Sequence, residues 1–421
     1  MLFRSGKTTA TGVVVAQQEI TATAFTLNYD LYMANLNSLN KRMGELRNNA
    51  HSQGVWARVF NGALSNEFGL GSKSNYTTIQ AGYDYAFGFE GVNNYLGVAL
   101  SYALSTSTSD NLAFDSNGEQ RGIDNIYSNA IEVALYNSYV SDSGWYNDSI
   151  AKFSYLMSSF EISNLNASTA TSNDTTNFAL TLGNEVGYVF KLGEESEWSI
   201  TPQVEATFGY FNQSDFKQTL ANSTAYLDAM AESVLTLRAR VGSAFGYDFK
   251  NFTDKDTFNA SLYVGAFYEY DYVSGGEIKM STQRETQANK YSNLSSDGRV
   301  VVNVGTNMSI KDNTRIYFDF EKSFAGKITT DYQVNVGVRY SFGESDGYTP
   351  VIEKAEFKAP LKIEVEEGEN QTEVEQDSKA DTKGEKGSTQ ADNGVEKEAN
   401  GEKESKAEDK KEQSPSKKES K

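Results

Sequence analysis

From residue 79 to 89 the chain runs IQAGYDYAFGF. Ile79, Ala81, Tyr83, Tyr85, Phe87 and Phe89 fall on one side, and Gln80, Gly82, Asp84 and Gly88 on the other. A period of two marks a strand with one apolar face. The alternation recurs at Leu96, Val98, Leu100, Tyr102 and Leu104, and at Ile131, Val133, Leu135 and Tyr139 opposite Glu132. It returns at Ala151, Phe153, Tyr155 and Met157, then at Phe178, Leu180, Leu182, Val186, Tyr188 and Phe190, then at Ile200, Val204, Ala206, Phe208 and Tyr210. Over 233–249 and 260–272 it sets Arg238, Arg240 and Asp248, then Glu269 and Asp271, against apolar faces; Val300, Val302 and Val304 oppose Arg299 and Asn303. Ile316, Phe318 and Phe320 oppose Arg315, Asp319 and Glu321. A less regular opening segment, GVWARVFNG at 54–62, sets Val55, Ala57 and Val59 against Arg58, and the most regular segment comes last, DYQVNVGVRYSF at 331–342. The pattern predicts twelve strands.

A soluble sandwich gives the same period. Three features favour a membrane barrel instead. The predicted strands run about 9–16 residues, where soluble strands average about 5–6. Tyr and Phe gather at the ends of the apolar faces, as in YAFGF, FGYF and YEYDY, which suits a membrane–water boundary. The opposite faces carry charge and glycine, which a wet lumen tolerates and a dry core does not. In lipid every backbone N–H and C=O must be paired, so such a sheet closes on itself. That also explains a mean hydropathy of −0.54: only every second residue needs to be apolar.

Residues 20–50 break the period. Tyr32, Leu36, Leu39, Met43 and Leu46 are spaced 4, 3, 4 and 3, a helical stripe, with Lys41, Arg42 and Glu45 on the polar sides. A surface helix on a core is the ordinary alternative. A lipid-facing barrel offers no outer core, so a helix over 23–51 plugging the lumen is expected. Past Gly343 the alternation collapses. Residues 344–421 hold 22 acidic and 14 basic residues, a net −8 of the chain's −19, and are expected to be disordered for want of apolar area.

Composition removes several chemistries. There is no cysteine and one histidine, His51, so disulfides, Cys-based metal sites and multi-His sites are excluded. No cofactor is expected. The acidic balance argues against nucleic acid. GKTT at 6–9 lacks the upstream glycine of a phosphate loop. The inward charges Arg58, Asp84, Glu132, Arg238, Arg240, Glu269, Asp271, Arg315, Asp319, Glu321 and Arg339 could be read as catalytic dyads. The plainer reading is that they solvate the lumen and pair with one another and with Lys41, Arg42, Glu45 and Arg47. The N-terminus shows an apolar run of only about five residues (12–16), too short for a secretory signal. The chain is therefore expected to be the C-terminal piece of a longer precursor.

Over about residues 25–342 this layout resembles the translocator domain of bacterial autotransporters, the type V secretion family. SLNKRMGELRNNAHSQGVWARVFNG at 38–62 is similar to that family's junction between helix and first strand, and VGVRYSF at 336–342 to its C-terminal insertion signal. The Asn- and Tyr-rich texture resembles Helicobacter-type members, including the vacuolating-cytotoxin group.

The resemblance implies an all-β, 12-stranded antiparallel transmembrane β-barrel with an N-terminal α-helix in the pore and a disordered C-terminal tail. It divides the chain into a passenger remnant or linker (1–22), a pore-spanning helix (23–51), the barrel (52–342) and a charged periplasmic extension (343–421). It implies an integral outer-membrane protein, monomeric and not an enzyme, that exports and anchors a covalently linked N-terminal passenger. Its partners would be outer-membrane lipid and the barrel-assembly machinery, the latter reading Val336, Val338, Tyr340 and Phe342. Members that cut themselves in the pore do so at an Asn-Asn pair; here the matching residues are Asn37 and Ser38, and the second asparagine is missing. The alternative is a porin-type channel for small solutes, which would need no lumenal helix and more strands. A barrel hydrolase is weaker still, with only His51 as a base.

Overall fold

The computed structural model describes residues 10–36, 46, 51–89, 91–115, 117–165, 169–193, 196–219, 226–249, 258–282, 289–292, 294–311 and 313–343. Twelve long strands form the body: β1 (Gln53–Asn66), β2 (Ser72–Phe89), β3 (Val92–Ser109), β4 (Ile123–Ser141), β5 (Trp145–Asn164), β6 (Thr169–Tyr188), β7 (Trp198–Phe211), β8 (Val234–Phe249), β9 (Phe258–Gly275), β10 (Asp297–Ile310), β11 (Thr314–Phe324) and β12 (Ile328–Phe342). Each pairs antiparallel with its chain neighbour, and β12 pairs with β1, so the sheet closes. The closing register sets Gln53 opposite Phe342, Val55 opposite Tyr340 and Ala57 opposite Val338, with a shift between Ala63 and Leu64. Closure removes both edges, which would otherwise present unpaired backbone to lipid.

Sidedness follows the alternation. Ile79, Leu100, Leu135, Val204 and Tyr340 are exposed on the outer face, while Gln80, Asp84, Glu132, Glu205 and Arg339 are buried on the inner one. Two details differ from the sequence reading. Phe190 lies in a separate two-residue strand, Phe190–Lys191, because the run breaks at Val189. Phe211 of FGYF does not belong to the aromatic end of the apolar face: it lies on the inner side that the alternation assigns to it and packs on Tyr29 and Tyr32, with ring centroids 5.6 and 5.7 Å apart.

At the end away from Gln53 and Phe342, two long connections add structure. Strands Ser214–Thr219 and Tyr226–Ala231 from the β7–β8 connection pair with Glu277–Thr282 and Asn289–Ser292 from the β9–β10 connection. Together they make a four-stranded sheet. Lys279 and Glu232 form an ion pair there, and the nearby carboxylate raises the Lys279 ammonium above its ordinary range.

The helix differs from expectation. α1 spans Ala10–Ala34; it starts inside the stretch assigned to a linker and stops well before residue 51. Tyr32 lies in it and Leu36 in the turn after it, whereas Leu39, Lys41, Arg42, Met43, Glu45 and Arg47 lie outside the described residues. Over residues 20–36 the helix and the turn after it have no solvent side. From Ile20 to Leu36 nearly every residue is buried. Its threonines, poor helix formers, are accommodated by back-bonding: Thr21 Oγ1 donates to Gln17 O at 2.9 Å, Thr23 to Glu19 O at 2.9 Å and Thr26 to Thr23 O at 2.8 Å. Among the described residues, no helix is long and apolar enough to cross a membrane.

Candidate functional site: the lumen and its helix

α1 lies inside the barrel, and polar side chains hold it to the β2–β6 wall. Near the loop end, Gln17 Nε2 donates to Ser163 O at 3.0 Å and Gln17 Oε1 accepts from Leu165 N at 2.9 Å. Thr23 Oγ1 accepts from Leu70 N at 2.7 Å. Deeper, Asn28 Oδ1 accepts from Ser158 at 2.8 Å while its Nδ2 donates to Asn177 Oδ1 at 2.9 Å. The Asp30 carboxylate accepts from Asn66 at 2.5 Å and Ser72 at 2.7 Å. At the bottom, Thr78 donates to Asn35 Oδ1 at 2.9 Å, and Lys152 Nζ donates to the Asn35 carbonyl at 2.8 Å. That ammonium meets the partial negative charge of the helix C-terminus. It is held in turn by Glu132 at 3.0 Å, which also accepts from Ser154.

The apolar side of α1 meets the rest of the lumen. Phe25 packs on Phe216 of the four-stranded sheet at 5.1 Å, and Phe216 on Phe160 at 5.6 Å. Ile20, Leu27, Leu227, Ile278 and Met280 complete that cluster. The sheet beyond the barrel rim thus packs on the middle of the helix, at Phe25.

Two charge assemblies line the inner wall. On β8–β10, Arg238 binds Asp271 through two hydrogen bonds, at 2.6 and 2.9 Å, and Arg299 bridges Asp271 at 2.8 Å and Glu269 at 2.9 Å. Arg240 reaches Glu205 at 3.3 Å and stacks its guanidinium over Phe267 at 3.8 Å. At the seam, Arg339 grips Asp84 with Nη1 at 2.8 Å and Nη2 at 2.6 Å. Asp319 accepts from Tyr263 at 3.0 Å and Asn335 at 3.1 Å, and Arg58 lies over Phe60 at 4.8 Å. Arg315 and Glu321 are buried on the same inner surface. These carboxylates are matched by cations and hydroxyls, an arrangement that fills and solvates a lumen. Among the described residues no group of His, Cys, Asp and Glu is placed to hold a metal ion. His51 Nδ1 sits 3.0 Å from Gly343 O at the closing end.

The remaining sequence candidates fall in three places. Val336, Val338 and Tyr340 are exposed on the outer face of β12, and Phe342 is half-exposed at its end, its ring 6.2 Å from that of Tyr340. Leu46 is buried with Trp56, Tyr95 and Tyr136. Asn37 and Ser38 lie outside the described residues. Sequence reasoning missed Lys152, Glu185 and Glu205, although each lies opposite an apolar face by the same alternation. It also missed Trp56, whose indole points inward and donates to Tyr136 OH at 2.8 Å. Asp30 had no signal beyond its place in the helix.

A closed twelve-stranded barrel with an apolar belt and a helix inside its lumen defines an outer-membrane barrel protein of the translocator class. Comparison supports this. The family pattern of the autotransporter β-domain matches residues 55–321. The chain is 32% identical over 323 residues to the serine protease EspC of Escherichia coli O127:H6, covering 76% of this chain and 23% of that protein. It is 32% identical over 314 residues to the serine protease pet autotransporter of E. coli O44:H18, covering 75% and 22%. Among solved structures it matches the β-domain of the Bordetella autotransporter BrkA at TM-score 0.54 and 17% identity, over 69% of this chain and all of that one. It matches the NalP translocator domain of Neisseria meningitidis at 0.52 and 12%, over 77% and 99%. The chain belongs to the autotransporter family, and its barrel is the outer-membrane translocator domain. It spans less than a quarter of the length of these curated relatives, which are E. coli serine protease autotransporters and do not single out the Helicobacter-type group.

Proposed function

We propose that this domain exports a passenger joined to the N-terminal side of α1, and then keeps it anchored with the helix lodged in the pore. The observation that supports this is α1 itself. It sits in the lumen on specific polar contacts, and Gln17 near its start is held by Ser163 and Leu165 at the end bearing the long connections 212–233 and 276–296. Long loops face outward and short turns face the periplasm in such barrels, which sets that end at the cell surface. By the same rule the 343–421 extension lies in the periplasm.

The remaining partners follow the family. The barrel-assembly machinery reads Val336, Val338, Tyr340 and Phe342, and a sheet without edges favours a monomer. The protease activity in the relatives' names is assigned to their unmatched portion, so this domain is not itself the enzyme. The Asn37–Ser38 bond is taken as uncut, because the Asn-Asn pair is incomplete. A kinship with vacuolating-cytotoxin-type members rests on texture alone. A solute channel is disfavoured: there are twelve strands, and the helix is inside.

The test is conductance. Purified full chain in a planar bilayer should be nearly closed, and a variant lacking residues 10–50 should conduct steadily. Equal conductance would refute the plug.

A further inference from the structure

β1 and β12 must find each other in one register, although both present alternating apolar faces that would satisfy lipid in several. A slip of one residue turns the faces over and is forbidden; a slip of two keeps every apolar residue in lipid. Something on the inner face must therefore choose. In three adjacent strands, Ser341, Gly54 and Asp84 lie in one row, and Arg339, Trp56 and Gly82 in the next. The Arg339 side chain crosses diagonally over Gly54 to reach Asp84 on β2. A Cβ at Gly54 would stand 2.1 Å from Nη2 and 2.3 Å from Cζ, so only glycine leaves the passage open. The guanidinium is fully buried, grips both carboxylate oxygens, and turns Nε to Ser341 Oγ at 2.9 Å. Asp84 also accepts from Tyr136 OH at 2.6 Å, and Tyr136 accepts from Trp56 Nε1. The assembly ties β12, β1, β2 and β4 together.

We propose that Arg339, Gly54 and Asp84 form a register key for barrel closure. Sliding β12 by two residues one way sets Arg339 opposite Arg58, like charge against like. That slip also carries Arg339 about 7 Å further from the row of Asp84, whereas sliding the other way sets Arg339 opposite Gly54 in the row of Asp84 and Trp56 opposite Gly337. The slip onto Arg58 leaves a buried carboxylate without its cation, and it is this slip that the key forbids. Arg339 acts through strand pairing, as a positioning residue. The segment 336–342 then carries two messages: Val336, Val338, Tyr340 and Phe342 face outward, and Arg339 faces inward to fix where the seam closes.

The chain has no cysteine, so introduced pairs report without background. In the full chain inserted into lipid vesicles, Val55→Cys with Tyr340→Cys reports the native register, and Val55→Cys with Val338→Cys or Phe342→Cys reports the slipped ones. With the key intact, only the native pair should oxidise to a disulfide. In Asp84→Asn, Arg339→Gln and Gly54→Ala, the ratio of the native disulfide to the Val55–Phe342 slipped one, the register that sets Arg339 opposite Arg58, should fall by about tenfold or more, the scale of a charge-assisted bond. Gly54→Ala keeps both charges, so it separates blocked passage from lost charge. Where a single variant does not insert, Asp84→Asn/Arg339→Gln decides, because it leaves no orphan charge yet still lacks the key. The slipped Val55–Phe342 disulfide in the double variant supports the proposal; a purely native pattern in it overturns the proposal.

Discussion

Replacing Lys152 with methionine should unseat the pore helix without dismantling the barrel. Lys152 Nζ is shared between the Asn35 carbonyl at 2.8 Å and Glu132 at 3.0 Å, and both charged side chains are almost fully buried. Methionine keeps most of the volume but removes the cation. With the helix docked, Glu132 is then a dry carboxylate that has lost its cation and keeps the hydrogen bond from Ser154, a state that costs about 3–5 kcal/mol. Releasing the helix lets water reach Glu132, so the penalty falls on the docked state in particular. Lys152→Met/Glu132→Gln removes the orphan charge as well. It loses only the bond to Asn35 and the charge at the helix end, together about 1–2 kcal/mol. The single variant should therefore favour the open pore about tenfold or more over the double variant. Open probability in planar bilayers measures this. A single variant as closed as the wild type, or a double variant more open than the single, would refute the reasoning.

Further predictions concern other parts of the molecule. Phe216→Ala removes the ring that packs on Phe25 and Phe160, at a cost of about 3–5 kcal/mol. Limited proteolysis should then cut within residues 15–25 while the barrel stays resistant. Gly97→Ala would put a Cβ 2.2 Å from Tyr136 Cζ and displace the ring that holds Asp84. Its thermal midpoint in detergent should fall, and an unchanged midpoint would contradict the packing described. Truncation after Phe342 should leave membrane assembly intact, measured by insertion into vesicles; loss of assembly would show that the extension belongs to the insertion signal.

The strands were legible because lipid imposes a strict rule. Leu96, Val98 and Leu100 have no choice of side, so a period of two is written plainly along β3, and the same rule in β12 runs to Phe342. The inner face obeys a looser rule, since charge, glycine, hydroxyls and inward aromatics all satisfy a packed polar lumen. Alternation therefore placed Arg238 and Asp271 inside but could not pair them. Lys152 stood in the same pattern and was overlooked because its partner, a carbonyl of α1, carries no side-chain signature. The helix was least legible. Its true extent, ATGVVVAQQEITATAFTLNYDLYMA, is rich in β-branched residues and has no polar stripe, because the enclosing wall surrounds it. The stripe from Tyr32 to Leu46 belonged mostly to the segment beyond it.

α1 has a further consequence. Isolated helices of modest length are marginal in water even with favourable residues, and this one is built from valines, threonines and isoleucine that prefer extended backbone. Outside the barrel the segment should lose most of its helicity, and within it the surrounding wall supplies the missing stability. Folding and corking are then a single event, and helicity becomes a gauge of occupancy. A peptide of residues 10–36 free in buffer should show little ellipticity at 222 nm, and the same sequence housed in its barrel should show a helical band that disappears when the pore opens.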